Sequence, residues 1–118
     1  MATERKQSTI IRNVADVEQE RGVCGFRRKL VTGEDTPVAY VSHLIIDNSR
    51  EHYHKIMTEY YYVIRGEGEI FLDGESHPIK TGDIVVIPPL VRHTSKGDLE
   101  VLIFGSPALE AEDIYFDD

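Results

Sequence analysis

The chain has 118 residues, enough to bury the core of one domain and too few for two. Its 21 acidic residues against 13 basic ones leave a formal charge of -8, which repels a phosphate backbone and excludes nucleic acid as the main partner. No apolar run follows the basic residues of the opening MATERKQSTI, and no later stretch reaches bilayer-spanning length. A soluble cytoplasmic protein with no membrane partner is therefore expected. Cys24 is the single cysteine, which forbids an internal disulfide or a zinc site of paired thiolates, and with Val23 and Phe26 beside it the residue reads as a small buried hydrophobe.

Residues 1 to 22 are expected to be an N-terminal arm, polar as far as about residue 13, with a short strand at Thr9 to Arg12 and one helical turn over Asn13 to Glu20 capped by Asn13. A strand is predicted over Val23 to Val31, ended by the turn Thr32-Gly33-Glu34-Asp35-Thr36-Pro37, and a second over Val38 to Ile46, rich in β-branched and aromatic residues. Glu59 to Arg65 makes another strand, which Gly66-Glu67-Gly68 interrupts before Glu69 to Leu72. Asp73-Gly74 is a two-residue hairpin signal.

After the turn at Lys80 to Asp83, Ile84 to Ile87 forms a short, continuously apolar strand that Pro88-Pro89 stops. Val91 to Ser95 resumes the sheet, Lys96-Gly97-Asp98 turns, and Leu99 to Phe104 closes it. Short strands at near-regular spacing, without helical periodicity, give an all-β sandwich or barrel over residues 23 to 107. Residues 108 to 118 form an acidic C-terminal tail whose apolar middle, Ile114-Tyr115-Phe116, is expected to dock on the barrel or on a partner chain.

The informative stretch is EHYHKIMTEYYYVIRG, Glu51 to Gly66. His52 and His54, two apart, share one face of an extended backbone, and Glu59 follows. A single histidine in a strand is usually a satisfied polar residue, but three ionisable groups aimed at one interior are costly without a metal. Imidazole nitrogen and carboxylate oxygen suit a borderline divalent ion, and His93 is the fourth candidate ligand. By the same parity Tyr61 and Val63 should follow Glu59 inward, and Ser95 should follow His93, while Tyr60, Tyr62 and Thr94 face the other way.

These residues resemble the cupin superfamily. Its first motif, G-x5-H-x-H-x(3 or 4)-E-x6-G, is met by His52, His54, Glu59 and Gly66, and its second, G-x5-P-x-G-x2-H-x3-N, by Gly82, Pro88 and His93. Ile46, Leu90 and Gly97 depart from the pattern at turn-shaping positions, none of them a ligand. The resemblance implies a double-stranded β-helix, or jelly roll, with a three-histidine, one-glutamate metal site inside the barrel.

Such a donor set leaves coordination positions open on a six-coordinate ion, so a chelating hydroxy-carbonyl, enediol or carboxylate could displace water and be polarised. The leading expectation is a small metal-dependent enzyme of dioxygenase type on such a small-molecule substrate, with iron or manganese favoured and nickel, zinc or copper also accommodated. A non-catalytic binding or sensing module is the alternative, and a decarboxylase, isomerase or lyase the further one. Tyr61 and His43 are candidates to support the site, Met57 to line its entrance or equally to fill the core, and Arg50, Arg65 and Arg92 to receive an anion; His77 reads as a surface residue. A homodimer is expected from the apolar outward positions.

Overall fold

The computed structural model describes residues 4, 9–109 and 111–118. A 3-10 turn at Val14–Asp16, shorter than the turn predicted over Asn13 to Glu20, is capped by Asn13 as expected, its side-chain oxygen accepting the Ala15 N–H at 2.9 Å. Seven strands follow: β1 (Glu20–Arg21), β2 (Gly25–Val31), β3 (Tyr40–Ile46), β4 (Thr58–Leu72), β5 (Glu75–Lys80), β6 (Ile84–Ile87) and β7 (His93–Ser106). All pair antiparallel in the order β1-β2-β3-β7-β4-β5, with β6 joining β4. The fold is the all-β jelly roll, the double-stranded β-helix expected. Among the described residues no helix is long and apolar enough to cross a membrane.

Residues Thr9 to Arg12 form no strand. Arg12 instead reaches the loop after β2, donating to the Leu30 carbonyl at 2.7 Å and pairing with Asp35 at 2.8 Å. The strand ends otherwise move by a few residues, and the continuously apolar β6 alternates in burial: Ile87 is buried while Ile84 and Val86 face outward.

The larger difference lies in β4 and β7, which run unbroken for 15 and 14 residues where two shorter strands each were predicted. The interrupting glycines explain it, because Gly68 on β4 pairs with Gly97 on β7. A Cβ on Gly97 would lie 2.7 Å from the Gly68 Cα, and one on Gly68 2.2 Å from the Lys96 carbonyl oxygen. What looks like two turns along the sequence is one close crossing of two backbones, open only to glycine. The Asp73-Gly74 hairpin forms as predicted, with both φ angles positive at 50° and 83°.

Inward side chains of β3, β7 and β4 stack in rows that the register defines. Tyr40, Gly105 and Glu59 make the first row; Ser42, Ile103 and Tyr61 the second; Leu44, Val101 and Val63 the third. The third is wholly apolar and at most 2% exposed, so it floors the cavity that the first two surround. Between Val63 and Arg65 a bulge shifts the register, and beyond it Ile70, at 1% exposed, continues the core.

Replacing Gly97 by alanine should cost about 3 kcal/mol, since its φ of 116° is strained for any other residue and the new methyl meets backbone. Gly74→Ala, with φ 83° and nothing within 4 Å, should lose only about 1 kcal/mol. Urea unfolding midpoints of the two variants check that order.

Candidate metal centre

The segment after β3 brings His52 and His54 to the barrel, and an isolated bridge pins His52 to the first residue of β7. The His52 N–H donates to the His93 carbonyl at 3.2 Å and the His93 N–H to the His52 carbonyl at 2.9 Å. Glu59, the second residue of β4, faces inward as alternation requires. One donor atom from each of His52, His54, Glu59 and His93 lies within 4.8 Å of every other, and all four side chains are buried. The structure thus gathers the four candidate ligands the sequence singles out.

How the imidazoles are held decides what they can do. The Nδ1–H of His52 donates to the Arg50 carbonyl at 2.9 Å, that of His54 to the Asp113 carbonyl at 2.6 Å, and that of His93 to the Val91 carbonyl at 2.9 Å. A carbonyl only accepts, so each Nδ1 carries a proton, and in the neutral ring each Nε2 turns a lone pair inward. The Nε2 atoms of His54 and His93 then stand 2.9 and 3.2 Å from Glu59 Oε1, acceptor against acceptor. Burial, with His93 close by, pushes His52 down to about 3, and burial lowers His54 as well, so both rings stay neutral near pH 7. Three lone pairs and a carboxylate converging in a buried interior are repulsive until a cation sits among them, and the donor set fits a divalent transition metal.

The second oxygen of Glu59 accepts a short hydrogen bond from the Tyr40 hydroxyl. Tyr40 reaches it by laying its ring across Gly105, where a Cβ would come within 1.9 Å of the ring. Neither residue was singled out in the sequence, because no motif marks a strand pair in which a glycine clears the path for an aromatic ring.

Asp113 was missed too. It is 1% exposed, and its carboxylate accepts the N–H groups of Lys55, Ile56 and Met57 at 2.8–2.9 Å, holding the loop between His54 and Glu59. Burial raises its pKa, but those three bonds outweigh that and leave it below the ordinary carboxylate range. In sequence it is one acid among several in the tail, Glu110 lying outside the described residues.

The tail docks on its own barrel, through Tyr53 N–H to the Tyr115 carbonyl at 3.0 Å and the return bond at 2.9 Å. Arg50 lies 3.7 Å over the Phe116 ring and pairs with Asp118, and Arg92 forks onto Asp117 at 2.9 and 3.0 Å. Both arginines, considered above for an anionic substrate, are instead clamps for the tail. Arg65 pairs with Glu100 at 3.2 Å on the outer surface.

A cavity of about 200 Å³ opens over the cluster, walled by β3, β4, the segment before β2 and the tail. Tyr61 lines it, set edge-on to His93 with ring centroids 6.1 Å apart, and burial holds its phenol well above the usual value and so neutral. Cys24 also lines it, 4.0 Å from His52 Nδ1, with its thiol pushed up to about 11 by burial. Met57 is fully buried core and does not line this entrance.

His43 turns away from it. Its neighbours Ser42 and Leu44 take the inward positions, while its Nε2 meets Glu100 at 2.7 Å, so alternation places it outside the site it was a candidate to support. His77 is at the surface, 3.6 Å from Glu75. Ser42, 3% exposed and part of the cavity wall, leaves its hydroxyl without a partner, at a cost of roughly 1–3 kcal/mol for an unsatisfied buried group.

Residues 47–103 match the Cupin domain family, and together with this fold and site they place the chain in the cupin superfamily. In sequence it is 44% identical over 57 residues to protein SchB of Streptomyces halstedii, a match covering 46% of this chain and 41% of SchB. The chain thus spans less than half the length of that relative. In structure it resembles a protein from Planctomyces limnophilus, with a TM-score of 0.86 and 26% identity over 92% of this chain and 97% of that one. It also resembles Pac13, a Streptomyces nucleoside dehydratase, with a TM-score of 0.81 and 23% identity over 92% of this chain and 90% of Pac13, a likeness of fold.

One equivalent of a divalent transition metal per chain is expected on metal analysis after loading, with a higher melting temperature that a chelator reverses. His93→Ala should abolish the stoichiometric binding. Asp113→Asn, which keeps the carbonyl that orients His54 but weakens the clamp on the loop, should loosen the metal about 10-fold.

Proposed function

We propose that this chain is a metal-dependent enzyme acting on a small hydroxy-carbonyl or carboxylate metabolite that chelates an ion held by His52, His54, Glu59 and His93. Iron or manganese is the favoured ion, with nickel, zinc and copper as other occupants the ligands accept. The observation that carries this reading is the commitment of all three Nδ1–H groups to carbonyls, which leaves three Nε2 lone pairs converging with Glu59 beneath a cavity. A bound ion supplies Lewis acidity and, for iron or manganese, the capacity to activate dioxygen.

The chain's own residues do the rest. Leu44, Ile103 and Ile114 make the wall apolar and keep water from the reacting centre. Tyr40 holds Glu59 in place through its second oxygen. Tyr61, a neutral phenol at the cavity wall, is placed to donate to an oxygen of the substrate on which charge develops. The dry, apolar wall favours dioxygenase chemistry, because dioxygen enters such a space without desolvation cost. The protonated Tyr61 favours a second reading, a lyase or isomerase in which proton transfer alone suffices. A buried thiol that is never paired suits the reducing cytoplasm.

We infer as well that two copies associate. Tyr60, Tyr62, Ile84, Val86 and Phe104 are 38–58% exposed, and the register makes them neighbours across β6, β4 and β7. This patch contains no carboxylate, so it is where two chains of charge -8 meet with least repulsion. Sedimentation at micromolar concentration should show a dimer that Tyr62→Glu converts to monomer, and a wild-type monomer would contradict the inference.

Oxygen uptake and product formation by the iron-loaded protein over a panel of hydroxy-carbonyl and carboxylate compounds test the activity. Uptake matched to product, lost by more than about 100-fold in His93→Ala, is the expected result. Turnover that persists without oxygen supports the lyase reading, and tight binding with no product under any metal supports a sensing module.

A further inference from the structure

The cavity wall carries one polar group that neither the ligand cluster nor the fold uses. Ser42 sits on β3 between Tyr40, which holds Glu59, and Leu44, which belongs to the apolar floor. In its row across the barrel stand Ile103 and Tyr61. It is 3% exposed, it lines the cavity, and its hydroxyl has no hydrogen-bond partner. A position needed only to space Tyr40 from Leu44 is better filled by alanine, which buries no hydroxyl. An unspent hydroxyl at the cavity wall is accounted for when the partner arrives with the ligand.

We propose that Ser42 determines specificity by hydrogen bonding to a neutral oxygen, a hydroxyl or carbonyl, at the far end of a substrate whose chelating oxygens face His52, His54, Glu59 and His93. The inference rests on the chelation reading above and narrows it to a substrate class. The neutrality of the recognised group follows from the wall. Apart from the ligand Glu59, the acid-base group of fixed charge lining this cavity is Arg27, and its guanidinium is already engaged by Glu20 at 3.0 Å. The other polar groups in reach are uncharged: the Ser42 hydroxyl, the Tyr61 phenol and the Cys24 thiol.

Length follows from the ladder. Ser42 lies two residues along β3 from Tyr40, a separation of roughly 7 Å at strand rise. A chelating pair at one end and an oxygen two or three carbons away at the other spans that distance. The substrate is then a short, polyhydroxylated acid or hydroxy-carbonyl compound, and one with an anionic far end finds no free cation to meet it in that row.

The test uses the manganese-loaded full chain and two probes that differ only in the far hydroxyl, 2-hydroxybutyrate and 2,4-dihydroxybutyrate, titrated calorimetrically into wild type and Ser42→Ala. The extra hydroxyl should tighten binding to wild type about 3- to 10-fold, and that preference should vanish in the variant. Metal-free Ser42→Ala should melt no lower than wild type, because no bond within the protein is lost. Equal binding of both probes to wild type, or a preference that survives in the variant, overturns the role of Ser42 and leaves the chelation reading standing. A melting temperature several degrees lower also overturns it, by showing the hydroxyl to be structural. Failure of both probes to bind a protein that has taken up manganese overturns the chelation reading and this inference together.

Discussion

Everything functional in this molecule depends on three hydrogen bonds that point outward. The Nδ1–H groups of His52, His54 and His93 are each spent on a main-chain carbonyl, of Arg50, Asp113 and Val91. Two of these carbonyls lie two residues before their own histidine, so the local backbone sets those rings. The third belongs to the tail, far away in sequence, so His54 is oriented only when the chain is complete around the barrel. Side-chain histidines on a β surface ordinarily rotate and choose either tautomer; here neither freedom remains, and the inward lone pairs are preorganised.

The tail that supplies this third carbonyl is fastened redundantly. Asp113 binds three N–H groups of the 55–57 loop, Tyr115 bridges Tyr53, and Arg50 and Arg92 grip Asp118 and Asp117. The surface pairs are individually weak, of the order of 1 kcal/mol or less, whereas removing the buried Asp113 carboxylate strands three donors at once. The energetic weight therefore sits on Asp113, and the arginines keep the end of the chain from fraying. A site normally described by its ligands alone is here tied to the last residues of the chain.

Much of this was legible in the sequence. Alternation from Glu59 placed Tyr61 and Val63 inside and Tyr60 and Tyr62 outside, and the structure agrees, with Tyr61 2% and Tyr62 42% exposed. His52 and His54 were readable because residues two apart in an extended segment share a face, and Glu59 and His93 because each takes an inward position on its own strand. What could not be read were contacts with no local signature. Gly68 and Gly97 look like turn residues until β4 and β7 are known to be neighbours, and then they become a close approach of two strands. Asp113 resembles the other carboxylates around it until the loop it caps is located. His43 has the chemistry of a site residue and the wrong parity for one.

Parity also explains the bulge at Ile64, which no composition rule marks. Before it, odd-numbered residues of β4 face inward: Glu59, Tyr61 and Val63. After it, Ile70 does, while β7 keeps the same parity throughout, with His93, Ser95, Leu99 and Val101 all buried. A strand of 15 residues without that extra residue would have to turn either Glu59 or Ile70 to solvent. Facing Glu59 outward would take the carboxylate from the three histidines and from the Tyr40 hydroxyl; facing Ile70 outward would open the core. One inserted residue thus lets a single strand face Glu59 into the cavity near one end and Ile70 into the core near the other. The Glu59 row, the Ser42 row and the floor keep their order because the shift falls beyond Val63.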